Sequence, residues 1–364
     1  MLAYGVEPSV RIFQNNGLSR SFRALRSDPA GQSFNGDRAR FLNSRFAASH
    51  ILLPVFLGNP DAFYTNGDDE NLQALWAREH GLKTDSLEQI LLAQIEHHRT
   101  EVFYNLDPIR YSSWFIDKLP GCVKKSICWR AAPSGNADLT KYDLVVCNFP
   151  SILDDWRQKG CKVAYFFPAH DPAMDAYAES RRNDFDLVFI GGFSRHHVKR
   201  SEALKAAASV PGINARYYLE DSRLTRLANF LPMLPVLGVY RHPKEVRAIR
   251  ANPIYGRDAY AALSHTRIVF NGAIDMAGED RGNMRCFEAT GCGAVLLTDS
   301  GRYPEGFVDG DTMVTYSSSD AVPEMIKRLT NDVAWADSIA QAGCAMVKDR
   351  YSKERQWAKF QELA

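Results

Sequence analysis

The chain has 364 residues, 45% of them hydrophobic and 24% charged, and this length favours two domains that each bury their own core. Its 44 Lys and Arg residues stand against 43 Asp and Glu residues, and the formal net charge of +1 excludes a bulk electrostatic field for nucleic acid or an anionic membrane. Any anionic ligand must therefore be bound by a local cluster of groups.

The sequence shows neither a targeting segment nor a membrane span. Its first residues, MLAYGVEPSVRIF, lack a basic start followed by a long apolar run, and no uncharged stretch approaches the length that a bilayer requires. The seven cysteines form no CxxC pair and lie mostly in apolar surroundings, which favours reduced core thiols over a metal site. We therefore expect a soluble, cytoplasmic protein.

Short β-branched and aromatic runs alternate with amphipathic segments in the first half of the chain, a pattern typical of parallel sheets with helices on both faces. Residues from about 20 to 98 are predicted to be mostly helical, and Ser151–Lys159 is a further predicted helix that ends at Gly160. The predicted strands of this half are Val10–Gln14, Glu101–Asn105, Val123–Trp129, Tyr142–Cys147 and Lys162–Phe167.

The second half follows a segment bounded by Pro168 and Pro172, which is typical of a connection between domains. Its predicted strands are Leu187–Ile190, Ala215–Leu219, Arg267–Phe270, Ala294–Thr298 and Met313–Tyr316. The order of elements predicts two doubly wound α/β domains. Ligands bind such sheets at the carboxyl ends of the strands, so the loops that follow the strands are the candidate sites.

A glycine-rich loop follows the strand Leu187–Ile190. Gly191 and Gly192 allow the backbone to approach a phosphate, a predicted helix supplies free N–H groups, and Arg195 and Lys199 supply positive charge. This combination suits a diphosphate, although neither GxGxxG nor GxxxxGKS is present, which disfavours a Rossmann dehydrogenase and a P-loop NTPase. The alternative is a glycine turn beside a solvated basic helix face.

The stretch DRGNMRCFE precedes the strand Ala294–Thr298 and predicts a short helix capped by Asn283. Arg285 and Glu288 are three residues apart and share one face of that helix. The carboxylate of Glu288 suits a ribose diol, while Arg285 and the N–H groups of Asn283 and Met284 suit a diphosphate. The alternative is that Arg285 and Glu288 form an ion pair on the protein surface.

Asp280 lies eight positions before Glu288, in the loop rather than on the helix. We expect its carboxylate to be free to contact a different part of the same ligand, as a sugar donor would require. Glu279 is the neighbouring acidic candidate.

The segments YGRDAYAALSHTRIVFN and NMRCFEATGCGAVLLT resemble the paired signature of the GT-B glycosyltransferases, in particular the CgeB-like branch of the retaining group-1 superfamily. The tail YSKERQW is similar to the last helix of that branch. The resemblance implies an α/β protein with two Rossmann-like doubly wound domains facing a cleft. It also implies an N-terminal acceptor-binding domain over 1–170, a nucleotide-sugar-binding domain over 171–350, and a C-terminal helix over 351–364 that returns to the first domain.

The resemblance assigns roles to the motif residues. The superfamily carries two glutamates separated by seven residues, of which the second binds the ribose and the first lies near the donor sugar. Glu288 matches the second, whereas Asp280, beside Glu279, occupies the first. Gly192 would lie near the diphosphate, together with Arg195, Lys199, Arg285 and the backbone of Asn283 and Met284.

The activity that the resemblance implies is hexosyl transfer from a UDP- or GDP-linked sugar to a glycan, lipid-linked, protein or small-molecule acceptor. Configuration at the anomeric carbon would be retained, and neither metal nor cofactor would be needed. No nucleic-acid partner is expected, and a peripheral membrane contact stays open. An inverting enzyme would need a base in the first domain, for which His170, Asp107 and His97 are candidates, with a capping or structural role as the alternative for each.

Acceptor binding would fall to polar residues that follow strands of the first domain. Asn16 and Gly17 follow the first predicted strand, and Tyr104 and Asp107 lie at the end of another. Ordinary turn chemistry is the alternative interpretation of both groups.

Two other functions remain open: a sugar-nucleotide epimerase on the same scaffold, which would need an acid/base pair, and a non-catalytic sugar-nucleotide-binding protein, which the aspartate at position 280 favours. The pattern Asp184-Phe-Asp186 resembles the divalent-metal motif of another transferase fold. It precedes a strand, however, and so is expected at the edge of the sheet opposite the ligand.

Overall fold

The computed structural model describes residues 10–18, 22–23, 33–193, 197–231, 235–272 and 278–364. The chain divides into two compact units, Met1–Phe167 with Lys353–Ala364 and Pro168–Ser352. Each unit contains a six-stranded sheet whose strand pairings are parallel. The predicted α/β class is thereby confirmed.

The sheet of the first unit has the strand order β2-β1-β3-β4-β5-β6. Its strands are β1 (Ile12–Asn16), β2 (Ala62–Asn66), β3 (Val102–Asn105), β4 (Lys125–Trp129), β5 (Leu144–Cys147) and β6 (Val163–Tyr165). The helices between them are α1 (Phe34–Ser44), α2 (Leu53–Phe56), α3 (Glu70–Glu79), α4 (Leu87–His97), α5 (Ser113–Ile116) and α6 (Pro150–Gln158).

The sheet of the second unit has the order β12-β11-β10-β7-β8-β9. Its strands are β7 (Phe185–Gly191), β8 (Ala215–Leu219), β9 (Arg250–Ala251), β10 (Thr266–Phe270), β11 (Val295–Asp299) and β12 (Val314–Tyr316). Its helices are α7 (Ala173–Glu179), α8 (Val198–Ala208), α9 (Arg223–Phe230), α10 (Lys244–Ile249), α11 (Gly256–Ser264), α12 (Met284–Gly291), α13 (Val322–Asn331) and α14 (Val333–Arg350).

In each sheet the strand order reverses once. The chain winds outward from β7 through β8 to β9 and then returns to the other side of β7 to add β10, β11 and β12. In the first unit the reversal lies between β1 and β3. Ligands of doubly wound sheets bind at such reversal points, outside the carboxyl ends of the strands.

The ten predicted strands all exist, with ends shifted by a few residues at most. Helices dominate the described part of residues 20 to 98, as predicted, but the prediction missed β2, which runs through this region and pairs with β1. Its five residues, AFYTN, are too few for a clear alternating pattern, although Phe, Tyr and Thr have strand propensity. The two-residue strand β9 was also missed.

The central strands of the second unit are continuous apolar runs because helices cover the sheet on both faces. Ile268, Val269 and Phe270 of β10 are fully buried, as are Val295 and the two leucines that follow it on β11. Within the described residues, no helix combines the length and the apolar character needed to cross a membrane.

The C-terminal helix α15 (Lys353–Leu363) belongs to the first unit, as predicted. The buried Lys353 ammonium donates hydrogen bonds to the carbonyl oxygens of Ala48 and Ile51, both at 2.6 Å. Gln356 donates to the carbonyl oxygens of Ser49 and Phe167. These bonds satisfy backbone oxygens that would otherwise be buried without a donor, and they fix the helix on the sheet.

Phe360 anchors α15 in the apolar core of the first unit. Its ring is fully buried and lies 4.9 Å from the ring centroid of Tyr104 and 5.8 Å from that of Phe166.

We expect Phe360→Ala to lower the free energy of unfolding by about 3–5 kcal/mol, because it removes a buried aromatic ring and leaves a cavity. Urea unfolding followed by circular dichroism measures the loss. The exposed neighbour Gln361 supplies the control, and Gln361→Ala should change stability by less than about 0.5 kcal/mol. Equal effects of the two substitutions would contradict the packing of α15 described above.

Candidate functional site

Asn271 joins three elements at the reversal point of the second sheet. It follows β10, and its Nδ2 donates to Asn283 Oδ1 at 3.3 Å, at the start of α12, and to Thr298 Oγ1 at 3.2 Å, near the end of β11. Asn283 Nδ2 donates back to Asn271 Oδ1 at 3.2 Å. This network joins the end of β10 to the start of α12 and to β11 before any ligand arrives.

The glycine-rich loop lies at the same edge. Gly191 ends β7, and Arg200 on α8 donates a hydrogen bond of 2.7 Å to the Gly192 carbonyl oxygen. Gly272, after β10, admits this arginine, because a Cβ at that position would lie 2.9 Å from Arg200 Cγ. Lys199 is exposed in the first turn of α8.

Arg195, which the sequence places near a diphosphate, lies outside the described residues. Arg200 was not a candidate in the sequence. Nothing in the sequence indicated that its guanidinium group contacts the Gly192 carbonyl oxygen.

Asn283 occupies the N-cap position directly before α12, as predicted, but its side chain makes no capping hydrogen bond. The amide is instead bonded to Asn271. The N–H groups at the start of α12, where Met284 is the first residue, therefore donate no hydrogen bond to the side chain at the cap position. A helix start of this kind carries partial positive charge and favours an anion.

Arg285 and Glu288 form an ion pair on α12, with 2.6 Å between Arg285 Nη1 and Glu288 Oε2. The ion pair of the alternative interpretation therefore exists, but it is largely buried rather than on the surface, with exposed fractions of 17% and 6%. Arg285 Nε is buried and has no hydrogen-bond partner among the described residues. A buried donor without a partner costs free energy, and a bound anion would remove that cost.

Burial raises the pKa of Glu288, and Arg285 opposes this shift while the nearby Asp171 adds to it. Asp171 is fully buried and accepts a hydrogen bond of 3.2 Å from the Tyr260 hydroxyl. The sequence analysis placed Asp171 in a connection between domains and missed its proximity to Glu288. Only the fold brings these two carboxyl groups, far apart in sequence, close enough to interact.

The structure corrects the expectation that Asp280 is free to contact a ligand. Its side chain is fully buried, and Arg302 Nε donates a hydrogen bond of 2.6 Å to Asp280 Oδ1. The backbones are joined as well, since the N–H groups of Arg281 and Arg302 donate to the carbonyl oxygens of Arg302 and Glu279. Glu279 itself is exposed. The catalytic role of Asp280 and Glu279 stays a prediction.

His170 lies in the second unit, which corrects its candidacy as a base of the first domain. Its ring is buried, and His170 Nε2 lies 2.8 Å from Asp175 Oδ1. Burial lowers the pKa of His170, with Asp175 acting in the opposite direction. This histidine is held beside α7 and α12, where a Cβ added to Gly291 would lie 2.8 Å from its Nδ1.

A cavity of about 650 Å³ lies at the reversal point of the first sheet, between the ends of β1 and β3. Two predicted acceptor-side residues, Gly17 and Asp107, line it, and a Cβ added to Gly17 would lie 3.1 Å from Asp107 Cγ. Burial raises the pKa of Asp107, and the nearby Asp68 adds to the shift while Arg110 opposes it.

The sequence analysis missed the other charged residues of this cavity. Asp68 accepts hydrogen bonds from the Leu18 N–H at 2.9 Å and from Arg23 Nη2 at 2.6 Å, and Arg110 Nε lies 3.4 Å from Asp107 Oδ2. Asp68 follows β2, the strand that was missed, so its place at this edge could not be predicted. The cavity presents two carboxylates and two guanidinium groups to a ligand.

The other two acceptor-side candidates, Asn16 and Tyr104, lie on strands and are buried, and their role in acceptor binding stays a prediction. Asn16 lies within β1 rather than in the loop after it, and its Oδ1 accepts a hydrogen bond of 3.2 Å from Gln14 Nε2. Tyr104 is fully buried on β3, where it packs against Phe166 and Phe360. Both side chains are buried, as expected for strands of a parallel sheet that is covered on both faces.

Asp184 and Asp186 lie at the amino end of β7, as predicted. His265 Nδ1 lies 3.3 Å from Asp184 Oδ2, and Asp186 Oδ2 accepts a hydrogen bond from the Asn214 N–H at 2.9 Å. Over the described ranges, no group of three or more His, Cys, Asp and Glu side chains is arranged to hold a metal ion.

The family described as glycosyl transferase-like matches residues 200–362. The comparison with curated proteins gave no match. Among solved structures, the chain is similar to sucrose-phosphate synthase from Thermosynechococcus elongatus, with 14% identity and a TM-score of 0.56 over 98% of both chains. It is similar to HepE from Anabaena in complex with UDP-glucose, with 13% identity and a TM-score of 0.59 over 97% of this chain and 98% of HepE.

A third solved structure, TarM from S. aureus in complex with UDP, shares 10% identity and a TM-score of 0.54 over 76% of this chain and 59% of TarM. At such identities the similarity establishes the fold. The chain has the GT-B fold, as the sequence resemblance implied, while the CgeB-like branch stays a prediction.

We predict that Asp280 and Arg302 are energetically coupled. In a double-mutant cycle of Asp280→Asn and Arg302→Gln, urea unfolding should give a coupling energy of about 1–2 kcal/mol. Either single substitution already removes the hydrogen bond between the charged groups, so the double variant loses less stability than the sum of the two. The exposed fraction of the Arg302 side chain is 60%, which keeps the value below that of a buried pair.

The matched control for this cycle is Arg328 on α13, whose guanidinium lies over the ring of Trp335 instead. Asp280→Asn combined with Arg328→Gln should be additive within about 0.5 kcal/mol. Additivity of the Asp280 and Arg302 substitutions would show that this pair does not hold the loop.

The raised pKa of Glu288 makes a further prediction about stability. A carboxyl group with a higher pKa in the folded than in the unfolded state stabilises the fold at low pH, and this stabilisation is lost as the pH rises through the folded-state pKa. The free energy of unfolding of the wild type, minus that of Glu288→Gln, should therefore fall as the pH is raised from about 4 to about 8.

Urea unfolding at each pH measures this difference. Glu324 on α13 is exposed, and the same comparison with Glu324→Gln should show no such decline. A difference for Glu288 that is constant or rises with pH would contradict the stated shift of its pKa.

Proposed function

We propose that the chain is a glycosyltransferase that moves a hexosyl group from a nucleoside-diphosphate sugar to an acceptor hydroxyl, with retention of configuration and without a metal ion or cofactor. The observation that carries the proposal is the buried Arg285–Glu288 pair at the reversal point of the second sheet, with an unpartnered Nε on Arg285. The glycosyl transferase-like match over residues 200–362 and the GT-B fold support it.

In this proposal Glu288 recognises the ribose. A carboxylate accepts hydrogen bonds from two neighbouring hydroxyl groups, and its burial excludes competing water. Arg285 opposes the rise in the pKa of Glu288 that burial causes, and it offers its own free donor to the diphosphate. HepE and TarM, which share the fold, have been crystallised with UDP or UDP-glucose, and we extend this ligand class to the present chain.

The diphosphate would lie between the Gly192 loop and the start of α12. The N–H groups near Asn283 and Met284 would stabilise the charge that develops on the departing diphosphate, and so would Lys199. In the proposed transfer, the bond between the anomeric carbon and the phosphate oxygen breaks as a bond to the acceptor oxygen forms on the same face. The acceptor proton passes to the departing phosphate oxygen, which is why no separate base is needed.

The acceptor would occupy the cavity between the ends of β1 and β3. Its two carboxylates, Asp68 and Asp107, can accept hydrogen bonds from hydroxyl groups, and Arg23 and Arg110 balance their charge. A hydroxyl-rich acceptor such as a sugar fits this lining better than an apolar one.

Binding without transfer is the second candidate function. The ion pair between Asp280 and Arg302 favours it, because the acidic group that the resemblance places near the donor sugar is occupied. Both candidate functions use the same nucleotide site, but only the transferase releases nucleoside diphosphate from a sugar donor.

The test is a thermal-shift screen against UDP, GDP, ADP and CMP, with EDTA and with magnesium, followed by an assay for nucleoside diphosphate released from the matching sugar donor. We expect one nucleoside diphosphate to raise the unfolding midpoint equally in both conditions. Glu288→Ala should weaken its binding by about 10- to 100-fold, because hydrogen bonds to a charged group are lost.

Glu324→Ala, at an exposed position, is the control and should bind the nucleotide normally. Release of nucleoside diphosphate that depends on an added acceptor, and that falls in Asp107→Asn while nucleotide binding is kept, supports transfer with the acceptor in the first unit. Binding without release favours the second candidate. A shift that needs magnesium overturns the metal-independent site, and no shift with any nucleotide overturns the proposal.

A further inference from the structure

Helix α9 turns its large apolar side chains toward solvent. Leu224, Leu227 and Phe230 are 46%, 44% and 81% exposed, and Leu231 directly after the helix is 37% exposed. Their spacing of three or four residues places them on one face of the helix. A surface helix of a globular protein normally buries this face against the core, so α9 has the reverse orientation.

The orientation of α9 is fixed by its small residues and its ends. Thr225 and Ala228 are the residues of α9 that are buried against the unit. Ser222 accepts a hydrogen bond from the Thr225 N–H at 3.0 Å, and Arg241 Nε donates to the Ala228 carbonyl oxygen at 3.2 Å. A rotation that buried the leucines would break these contacts.

The segment that contains α9 carries an excess of positive charge, although Glu220 and Asp221 precede it and Glu245 follows it. From Ser222 to Lys244 the sequence carries four basic residues and no acidic one, in a chain whose net charge is only +1. Arg223 and Arg226 are exposed on the helix beside the apolar residues. Exposed apolar side chains next to arginines are typical of helices that lie at an anionic lipid surface.

We propose that this surface, which we call the α9 face, docks on an anionic membrane. The α9 face consists of Arg223, Leu224, Arg226, Leu227, Phe230 and Leu231. The apolar side chains would enter the boundary between headgroups and acyl chains, while the two guanidinium groups pair with lipid phosphates at the surface. This binding goes beyond the proposed transfer reaction and does not depend on it.

The charge of the α9 face distinguishes a membrane from protein partners. A second copy of the chain would present the same face in a symmetric dimer and so bring arginine against arginine. Another protein would need an apolar groove flanked by acidic residues that match the positions of Arg223 and Arg226. An anionic bilayer satisfies the leucines, the phenylalanine and the arginines together.

The experiment is co-sedimentation of the full chain with vesicles of phosphatidylcholine alone and of phosphatidylcholine with phosphatidylglycerol. We expect binding to the anionic vesicles, and weaker binding when the salt concentration is raised from about 50 mM to about 500 mM. Leu227→Glu combined with Phe230→Glu should reduce binding at least about a hundredfold, because two apolar side chains no longer enter the bilayer.

Arg223→Gln combined with Arg226→Gln should reduce binding to anionic vesicles by about thirtyfold and leave any binding to neutral vesicles unchanged. Val333, which is 44% exposed at the start of α14, gives the matched control, and Val333→Glu should bind as the wild type does. Circular dichroism and urea unfolding verify that each variant folds. The salt dependence is measured on the wild-type chain, so it tests the proposal even if a variant fails to fold.

Several outcomes overturn the proposal. Absence of binding to anionic vesicles does so, as does equal binding to neutral ones, or binding that Leu227→Glu and Phe230→Glu leave intact. Self-association in analytical ultracentrifugation, lost in the same double variant while vesicles are not bound, would assign the α9 face to a second copy instead. The experiment measures lipid binding and not glycosyl transfer. Failure of the glycosyltransferase proposal would therefore leave the membrane-docking proposal unaffected.

Discussion

The reversal of strand order in each parallel sheet is the constraint on which the rest of the structure depends. A crossover between parallel strands is right-handed, so chains that wind outward in opposite directions place their helices on opposite faces of the sheet. At the point of reversal the two helices diverge and leave a crevice at the carboxyl edge. Both groups of candidate residues lie at such points, between β7 and β10 and between β1 and β3.

A crevice binds a ligand well when the strand ends around it are fixed in advance, and in both sheets an asparagine near the end of a strand joins such ends. Asn15 on β1 donates to Asn105 Oδ1 at 2.9 Å and accepts from the Gly67 N–H at 2.8 Å, which joins the ends of three neighbouring strands. Asn271 does the same for β10, α12 and β11. An amide can donate and accept at once, which suits it to this position. The free-energy cost of ordering these strand ends then arises during folding, so it does not weaken the binding of a ligand.

The sequence predicted the second unit better than the first. Strands such as β10 and β11 are uninterrupted apolar runs between glycine-rich loops, whereas β2 is five residues long among helices, and its loss also hid Asp68. The Arg285–Glu288 pair followed from helical spacing alone. The partners of Asp280 and Glu288 did not, because Arg302 and Asp171 approach them only through the tertiary fold. Local periodicity predicts which face of a helix or strand a residue occupies. It does not predict which side chains, distant in sequence, contact that residue.

Helix α9 shows the same limit at the surface. Its apolar spacing is that of a core helix, and from sequence it would be placed against the sheet. Strand β9, the edge strand that it leads to, pairs with β8 over two residues only, and α10 already contributes Val246 to the core there. Little apolar sheet surface therefore remains for α9, which packs through Thr225 and Ala228 instead. Retaining two leucines and a phenylalanine on the outward face of such a helix lowers solubility, and a docking surface gives that exposure a physical reason.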